Sequence, residues 1–391
     1  YAIECRQITK VFGSVVANDK IDLTVRYGEI MALLGENGSG KTTLMNMLSG
    51  IYHPDAGSIL VGGKEVSINS PVDSRNLGIG MIHQHFKLVE VFSAMENIVL
   101  GTKGKRLGRK ALREKIEALG QSFGLEIEPE KKVYDMSVSE KQTVEILKVL
   151  YRGAQILILD EPTAVLTPQE TERLFKILRR MREQGCAIII ITHKLNEVLS
   201  ISDRVTILRK GKSIETVETA GCDEKKLTEL MVGRPISLNI ERPEMEKRET
   251  ILKIVDLTVD KSDGGVALDD ISFEIKTGEI LGVAGVAGSG QKELCETLTG
   301  LMDAKKGAIL YRKENIIGKT PAEIIRLGIS MSFVPEDRLG MGLVASMGMV
   351  DNMLLKSYSE GKGLFVDRKP AREMAERLIG ELGIVTPGVD T

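Results

Sequence analysis

The sequence repeats itself at a fixed offset. Residues 27–50 (YGEIMALLGENGSGKTTLMNMLSG) align without a gap on residues 277–300 (TGEILGVAGVAGSGQKELCETLTG), a shift of 250 residues. Farther along the chain, the same shift places Gly57 on Gly307. Similarity held at one offset over such a distance indicates a duplicated structural unit. The sequence therefore predicts two copies of one domain, joined in tandem.

The segment between the two copies has the character of a linker. Residues 239–250 (NIERPEMEKRET) are charged, lack an apolar period and contain Pro243, as is typical of a connection between domains. We predict a first domain over residues 1–238, this linker, and a second domain over residues 251–391.

Composition limits the class of protein. Of the 391 residues, 42% are hydrophobic and 28% are charged, and the net charge is -2. These values favour a soluble globular protein of two or more domains and give no electrostatic reason to expect a nucleic-acid partner. The four cysteines are scattered without a CxxC spacing, which favours a reducing compartment and argues against a zinc site. Apolar runs are far shorter than the roughly 20 residues that cross a bilayer, so no membrane span is expected.

Continuous apolar runs in the first copy predict buried strands. Residues 29–35 (EIMALLG), 155–160 (QILILD) and 187–192 (AIIIIT) are runs of this kind. The segment between the last two carries apolar residues at helical spacing, namely Leu174, Ile177, Leu178 and Met181. Such strands, alternating with amphipathic helices, are typical of a parallel sheet that is covered on both faces.

Two further elements are predicted between and after these strands. Residues 109–124 carry an apolar stripe that favours an inserted helical region. Its members are Leu112, Ile116, Leu119 and Phe123. Residues 204–219 alternate around Lys210 and Gly211, which predicts a β-hairpin.

A phosphate-binding loop follows the first buried run. Residues 35–42 (GENGSGKT) fit the pattern G-x-x-x-x-G-K-[ST] between a predicted strand and a predicted helix. In such a loop, backbone N–H groups surround the phosphates, the lysine neutralises them and the hydroxyl joins the Mg²⁺ shell. The predicted ATP-binding residues here are Gly35, Asn37, Gly38, Ser39, Gly40, Lys41, Thr42 and Thr43.

Acidic residues follow the second buried run. In residues 157–162 (LILDEP), Asp160 ends the strand and is predicted to hold Mg²⁺ together with Thr42. Glu161 is placed to polarise a water molecule, and a general base contributes roughly 10²- to 10⁴-fold to the rate. His193 closes the third run, where α/β proteins bind ligands, and is predicted to contact the γ-phosphate. Lys41, Glu161 and His193 form the predicted catalytic set.

The second copy keeps the glycines of the loop and loses its reactive side chains. Residues 285–294 (GVAGSGQKEL) carry Gln291 at the lysine position and Lys292 at the hydroxyl position. The residues predicted for this degenerate second site are Gly285, Gly288, Ser289, Gly290, Gln291 and Lys292. Losing a charged hydrogen bond to phosphate forfeits roughly 1.5 to 3 kcal/mol, so this site is expected to bind nucleotide weakly or to hold it without hydrolysis.

These motifs together resemble the ATP-binding subunit of an ATP-binding cassette (ABC) importer, in the fused two-cassette class that serves nucleosides and simple sugars. The resemblance implies an α/β P-loop NTPase fold in tandem cassettes, each with a mostly parallel sheet, an antiparallel β subdomain and a helical insertion. It implies ATP and Mg²⁺ as cofactors. The implied partners are transmembrane permease subunits and, indirectly, an external solute-binding protein, with the chain peripheral on the cytoplasmic side of the cell membrane.

The resemblance implies further roles for residues of the first copy. Phe12 matches the aromatic that stacks on adenine, with a core phenylalanine as the alternative, and Gln84 matches the glutamine that touches Mg²⁺ and senses the membrane subunit. Residues 136–140 (MSVSE) occupy the position of the signature motif, where the family pattern is LSGGQ. The predicted signature residues are Ser137, Val138, Ser139 and Glu140. Thr167 stands where the family usually has an aspartate.

In this family two cassettes close head to tail, each ATP lying between the loop of one and the signature of the other. The altered loop of copy two and the altered signature of copy one are then expected in the same site, which leaves one competent site. The sequence ends before a second signature, metal acid or switch histidine, so we expect the second cassette to be incomplete and the isolated chain to be weakly active.

Alternatives remain open at this point. The segment 81–86 (MIHQHF) and the segment 334–338 (VPEDR) favour a nucleoside importer over a ribose or galactose importer. A soluble, non-transport tandem ABC ATPase would be expected to keep two intact sites or zinc cysteines. A non-catalytic protein built on degenerate cassettes is disfavoured by the intact Lys41. His83 and His85 alternate on an extended segment and are interpreted as loop residues, not as a metal pair.

Overall fold

A computed structural model describes the chain in two compact units, Tyr1–Arg242 and Pro243–Thr391. The described residues are 1–13, 15–83, 86–102, 108–235, 248–261, 264–285, 288–327, 329, 334–335, 342–358, 366–384 and 386–391. The division between the units falls inside the predicted linker, most of which lies outside the described ranges. The predicted domain bounds of 1–238 and 251–391 remain predictions.

The first unit alternates strands and helices along the chain. Its strands are β1 Ile3–Phe12, β2 Val15–Val25, β3 Ile30–Leu34, β4 Ala56–Val61, β5 Lys64–Val66, β6 Ile79–Ile82, β7 Ile156–Asp160, β8 Ala187–Ile191, β9 Arg204–Arg209 and β10 Lys212–Glu218. Its α-helices are α1 Lys41–Leu48, α2 Pro71–Asn76, α3 Ala94–Val99, α4 Arg109–Phe123, α5 Val138–Tyr151, α6 Pro168–Glu183, α7 Leu195–Ile201 and α8 Glu224–Val232. Short 3₁₀ helices lie at Val133–Asp135 and Thr219–Gly221.

A six-stranded sheet in the order β10-β9-β3-β8-β7-β6 forms the centre of the first unit. All neighbours pair in parallel except β10 and β9. Alternate residues of β8 enter different cores: Ile188 and Ile190 pack in one cluster, and Ile189 and Ile191 in another. Both faces are therefore covered, and the parallel sheet predicted from the apolar runs is present.

The peripheral elements of the first unit also match the sequence pattern. An antiparallel sheet in the order β2-β1-β4-β5 flanks the central sheet. Helix α4 buries Ile116, the centre of the predicted stripe, in the core that α5 also joins. The β9–β10 hairpin turns at Lys210 (φ 49°) and Gly211 (φ 78°), as a two-residue turn with positive φ at both positions requires.

The second unit repeats the first at the predicted shift. Its strands are β11 Thr250–Asp260, β12 Val266–Lys276, β13 Lys306–Tyr311 and β14 Glu314–Asn315, in the antiparallel order β12-β11-β13-β14. Its helices are α9 Gln291–Leu298, α10 Pro321–Arg326, α11 Met349–Ser357 and α12 Lys369–Leu382. Helices α9 and α10 and strand β13 begin and end 250 residues after α1, α2 and β4.

The units differ at the segment that precedes the phosphate loop. In the first unit this segment is β3, which is buried along its whole length. In the second unit residues 280–284 form no strand, and the side chain of Ile280 is 96% exposed. The described residues of the second unit provide no strand beside this segment, so the parallel sheet expected of each cassette is seen in the first unit. Among the residues that the structure describes, no helix has the length and apolar character to span a bilayer.

Candidate active site

The phosphate loop joins β3 to α1, as its motif requires. Gly40 caps α1 with φ 96°, a conformation that other residues rarely adopt. A Cβ atom at Gly35 would collide with the Leu208 carbonyl, and one at Gly40 would collide with the Ala17 carbonyl. Glycine is therefore required at both positions. The first N–H groups of α1 have no acceptor within the helix and, together with the helix dipole, suit a phosphate.

The predicted loop residues lie together at this turn. Asn37 and Gly38 are exposed, Ser39 is buried, and Thr42 and Thr43 lie in the first turn of α1 with Thr42 exposed. The Ser39 carbonyl accepts a hydrogen bond from the Gly211 N–H at 3.2 Å. The turn of the β9–β10 hairpin is therefore hydrogen-bonded to the phosphate loop and helps to fix its position.

Lys41 lies over the loop that precedes it. Its side-chain ammonium donates to the carbonyls of Gly35 at 2.7 Å and Glu36 at 2.8 Å, and the residue is only 9% exposed. Burial lowers the pKa of Lys41, and the charges of Glu161 and Asp160 act in the opposite direction. A cation held by neutral carbonyls in a partly desolvated site can exchange these contacts for phosphate oxygens, with a gain in charge pairing.

Asp160 and Glu161 follow β7 beside the phosphate loop. Burial raises the pKa of Asp160, the charge of Glu161 raises it further, and the charge of Lys41 lowers it. The charges of Lys41 and of the two carboxylates therefore act on one another. The carboxyl ends of β3, β7 and β8 meet at one edge of the sheet, where ligands bind in open α/β folds.

Glu161 and His193 are brought together by adjacent strands. The Nδ1 atom of His193 lies 3.1 Å from Oε1 of Glu161, and the Glu161 N–H donates to the Ile191 carbonyl at 2.9 Å. Glu161 has φ 46°, which is uncommon outside glycine and is found disproportionately at functional sites. The last residue of β8 thus holds the backbone of Glu161 in an uncommon conformation, and His193 orients the Glu161 carboxylate.

The donors near the loop suit Mg²⁺. A hydroxyl on Thr42 and a carboxylate on Asp160 are hard oxygen ligands, and Mg²⁺ is usually held by one or two carboxylates plus substrate phosphates and water. Among the described residues, no group of three or more His, Cys, Asp or Glu side chains could hold a metal ion. Phosphate oxygens and water would therefore have to complete the coordination of Mg²⁺. Gln84, the third predicted ligand, and His85 lie outside the described residues.

Phe12 ends β1 at the surface. Its side chain is 41% exposed, and its ring meets the edge of Tyr52 at a centroid distance of 5.1 Å. The Lys10 ammonium lies 5.4 Å from the ring centroid. An exposed ring of this kind disfavours the core alternative.

The signature segment is organised by a capping box. Ser137 caps α5: its hydroxyl accepts from the Glu140 N–H at 3.3 Å, and its own N–H donates to the Glu140 carboxylate at 2.7 Å. The Lys131 ammonium donates to the other oxygen of Glu140 at 2.6 Å. Val138 is exposed and Ser139 is half-buried. In the LSGGQ pattern the start of this helix is free to contact a phosphate. Here the Glu140 carboxylate of the same helix already accepts a hydrogen bond at that position, a contact that the sequence did not predict.

Thr167 also acts as a helix cap. Its hydroxyl accepts from the Glu170 N–H at 3.3 Å, and its N–H donates to the Glu170 carboxylate at 2.9 Å, at the start of α6. Threonine and aspartate both serve as N-caps. The departure from the family aspartate therefore keeps the local helix start intact.

The described glycines of the second loop have the backbone conformations of the first, but the lysine charge is missing. Gly288 (φ 84°) and Gly290 (φ 98°) follow the conformations of Gly38 and Gly40. A Cβ atom at Gly285 would collide with the Gln291 amide, so this side chain folds back over the loop, as Lys41 does. Lys292 is directed along α9, 3.8 Å from Glu296, and does not replace the missing lysine. Ser289 is exposed, whereas Ser39 is buried.

A cationic groove is lined by His83, which directly precedes Gln84 in the chain. Its volume is about 300 Å³. Its charged lining residues are the cations Arg75, Lys87, Lys148 and Arg152 and the acid Glu145. Burial lowers the pKa of His83, so this residue is not counted among the cations. Glu145 accepts from the Lys87 N–H at 2.7 Å and from the Lys148 ammonium at 2.9 Å, which ties the chain after residue 85 to α5. Sequence reading missed Glu145 because nothing in the spacing marks a buried acid on this helix.

Comparison with known proteins settles the family. The family model described as ABC transporter matches residues 18–164 and 268–386. The chain belongs to the ABC transporter family. The two matched stretches cover both copies, so the tandem ABC ATPase fold predicted from the sequence is confirmed.

Relatives of this ABC protein extend over nearly its whole length. The nucleoside import ATP-binding protein NupA of Lactococcus lactis is 44% identical, over 98% of this chain and 76% of NupA. The guanosine import ATP-binding protein NupO of Bacillus subtilis is 46% identical, over 92% of this chain and 70% of NupO. The ribose import ATP-binding protein RbsA 2 of Streptomyces coelicolor is 41% identical, over 98% of this chain and 73% of RbsA 2.

A solved structure gives the same fold. The cbiO1 protein of Clostridium perfringens, part of the ABC transporter complex cbiONQ, superposes with a TM-score of 0.52 at 28% identity. The match covers 56% of this chain and 90% of cbiO1. The resemblance to the ATP-binding subunits of ABC importers is thus confirmed, and the chain is an ABC ATPase.

Proposed function

We propose that this ABC ATPase drives the import of nucleosides through separate permease subunits, with hydrolysis at the first-unit site. The convergence of Lys41, Asp160 and the Glu161–His193 pair at one edge of the sheet carries the proposal. Relatives named for nucleoside and guanosine import, at 44% and 46% identity, support a nucleoside over ribose, for which the relative is 41% identical. Ribose import is the second candidate because that margin is small.

Each residue of the site has a definable task. Lys41 exchanges the carbonyls of Gly35 and Glu36 for the β- and γ-phosphates, while the N–H groups at the start of α1 hold the phosphate oxygens. Glu161 accepts a proton from the attacking water. His193 keeps the Glu161 carboxylate in place through its Nδ1 contact and lies where it can meet the γ-phosphate.

Mg²⁺, when bound to Thr42, Asp160 and the phosphates, neutralises charge that develops in phosphoryl transfer. Burial and the charge of Glu161 raise the pKa of Asp160, and the charge of Lys41 lowers it. A divalent cation at this pair of carboxylates would add positive charge that favours their ionised forms. Phe12 offers the face on which adenine stacks.

The second unit serves a different purpose in this proposal. Gln291 occupies the position over its loop but carries no charge, and Lys292 is directed along its own helix. A charged hydrogen bond contributes about 1.5–3 kcal/mol, so nucleotide at this loop is bound roughly 10- to 100-fold less tightly than at the first. The unit contributes a nucleotide-shaped surface in place of hydrolysis.

The cationic groove is the proposed contact for a permease subunit. Cations outnumber the single acid Glu145, and apolar side chains such as Val72, Met81 and Val149 line the same space. A short permease segment with acidic and apolar residues would complement it. His83 lines the groove and directly precedes Gln84, the predicted Mg²⁺ ligand. A permease segment bound in the groove would therefore influence the catalytic site through Gln84. With a permease subunit bound in this groove, the chain would be a peripheral subunit on the cytoplasmic face of the membrane.

The test uses the assembled transporter in proteoliposomes. Lys41→Ala should abolish ATP hydrolysis and uptake of labelled guanosine, whereas Lys292→Ala should leave both within about twofold. Equal losses from the two variants would refute the assignment of hydrolysis to the first unit. A ligand screen on the cognate solute-binding protein then separates nucleosides from ribose: binding of ribose alone would overturn the nucleoside proposal.

A further inference from the structure

Asn18 lies directly behind the phosphate loop and makes an unusual set of contacts. It belongs to β2 and is fully buried at 0% exposure. Its side-chain N–H donates to the Gly40 carbonyl at 3.1 Å. Its side-chain oxygen has no hydrogen-bond partner among the described residues. One half of the amide is thus used at the loop, and the other half is buried unpaired.

An unpaired buried oxygen lowers stability. A buried polar group without a partner is costly, and an apolar residue of similar shape at such a position is often neutral or stabilising. Folding alone therefore gives no reason for an amide at this position. The Gly40 carbonyl also already accepts the Leu44 N–H of the helix at 3.0 Å, so the Asn18 contact is a second one.

The second unit shows what the loop looks like without the amide. At the shift of 250 residues Asn18 falls on Leu268, which is 5% exposed and packs against Gly290. Gly290 has φ 98°, against 96° for Gly40, and its carbonyl accepts the Leu294 N–H at 2.8 Å. The backbone conformation at the start of the helix is therefore kept at Gly290 with leucine in place of asparagine. The amide must act on something other than the shape of the loop.

The peptide group between Gly40 and Lys41 is the group that the amide changes. Its carbonyl receives both hydrogen bonds, and its N–H, at the first residue of α1, has no acceptor within the helix. Hydrogen bonds in a chain polarise one another. Donation by Asn18 at the carbonyl end therefore strengthens the N–H at the other end, which faces the phosphate position.

We propose that Asn18 is a positioning residue that polarises the Gly40–Lys41 peptide and so raises the affinity of the first loop for the phosphates of ATP. The inference rests on the proposed ATP site at Lys41. It adds Leu268 to Gln291 and Lys292 as a feature that weakens the second loop.

The experiment compares two variants that remove the donor in different ways. Asn18→Leu copies the second unit, and Asn18→Ala removes the amide without adding volume. In the full chain, Mg-ATP affinity is measured by calorimetric titration, and the melting temperature is measured without nucleotide. Both variants should bind Mg-ATP about 1.3- to fourfold more weakly, because one hydrogen bond in a chain strengthens the next by about 10–30% and the bond to phosphate is a charged one. This loss should be the same in both variants although their melting temperatures differ. In the assembled transporter KM for ATP should rise by the same factor, with kcat within twofold.

Two controls separate the possible outcomes. Leu268→Asn, the reciprocal change in the second unit, should leave the Mg-ATP affinity of the first loop unchanged, and Lys41→Ala should abolish binding at the first loop. If Lys41→Ala binds normally, the proposed ATP site itself is wrong. If Lys41→Ala fails to bind but both Asn18 variants bind like the original chain, only the role of Asn18 is refuted. A third outcome is that only the Asn18 variant with the lower melting temperature loses affinity for Mg-ATP. That result would also refute polarisation and would indicate a structural role for Asn18.

Discussion

Replacing Glu161 by glutamine should separate ATP binding from ATP hydrolysis. Glutamine has the same shape, and its side-chain oxygen can still accept from His193 at the 3.1 Å contact. It cannot take a proton from water. We therefore expect the variant to bind Mg-ATP and fail to split it.

The size of the effect follows from the role of the carboxylate. General-base assistance contributes roughly 10²- to 10⁴-fold, or about 2.7–5.5 kcal/mol on the barrier. Binding should be preserved because the Lys41 ammonium donates its hydrogen bonds to carbonyls of the loop, not to Glu161. The charge of Glu161 raises the pKa of Asp160, so its removal lowers that pKa and makes Asp160 a better Mg²⁺ ligand.

The assay is phosphate release under single-turnover conditions in the assembled transporter, beside a Mg-ATP titration of the same preparation. Glu36→Gln is the matched control, since Glu36 is an exposed acid of the same loop whose charge also acts on Lys41. It should hydrolyse ATP within about twofold of the original rate. A Glu161→Gln variant that loses less than tenfold in rate, or that loses nucleotide binding along with hydrolysis, would contradict the assignment.

Three further outcomes follow from the same site. Phe12→Ala should weaken ATP binding by about 1–3 kcal/mol, the worth of one base-stacking contact, with little change in the melting temperature measured without nucleotide; unchanged affinity would remove Phe12 from the site. Because burial raises the pKa of Asp160 above that of its unfolded form, its ionisation destabilises the metal-free fold as pH rises through the folded pKa; Asp160→Asn should therefore raise the melting temperature at pH 7 in chelator, and a lower value would contradict this sign. Burial raises the pKa of the Cys5 thiol to about 12, so iodoacetamide at pH 8 should leave Cys5 unmodified in the native chain until denaturant is added, as peptide mapping by mass spectrometry would show.

Much of the first unit could be predicted because its signals are local. The apolar run of β8 and the helical spacing of Leu174 and Met181 each specify an element without reference to the rest of the chain. The repeat then carried these assignments to the second unit, where α9 begins at Gln291 as the shift requires. Lys41, Asp160 and Glu161 were found because phosphate chemistry requires those side chains at fixed places along a strand–loop–helix unit.

The contacts that sequence reading missed depend on long-range packing. Asn18 reaches Gly40 across 22 residues, and Lys87 donates to Glu145 across 58. No spacing rule links such pairs. The sequence predicts Glu140 as a residue of the altered signature, but not that its carboxylate accepts hydrogen bonds from the Ser137 N–H and the Lys131 ammonium. The sequence also did not predict the exposure of Ile280. An apolar run becomes a buried strand only where other strands are present to pair with it, and the run itself does not show whether they are.

The central claim is that Lys41 and Glu161 belong to one working ATP pocket while the second loop contributes shape without hydrolysis. Photo-crosslinking of radiolabelled 8-azido-ATP in the assembled transporter, with the label located by peptide mapping and followed through one turnover, tests this most directly. We expect the label to lie in the first unit and the γ-phosphate of the nucleotide bound there to be released during the turnover. Labelling should be absent in Lys41→Ala and retained in Gln291→Ala. Hydrolysis of nucleotide bound beside Gln291, or normal labelling and turnover in Lys41→Ala, would contradict it.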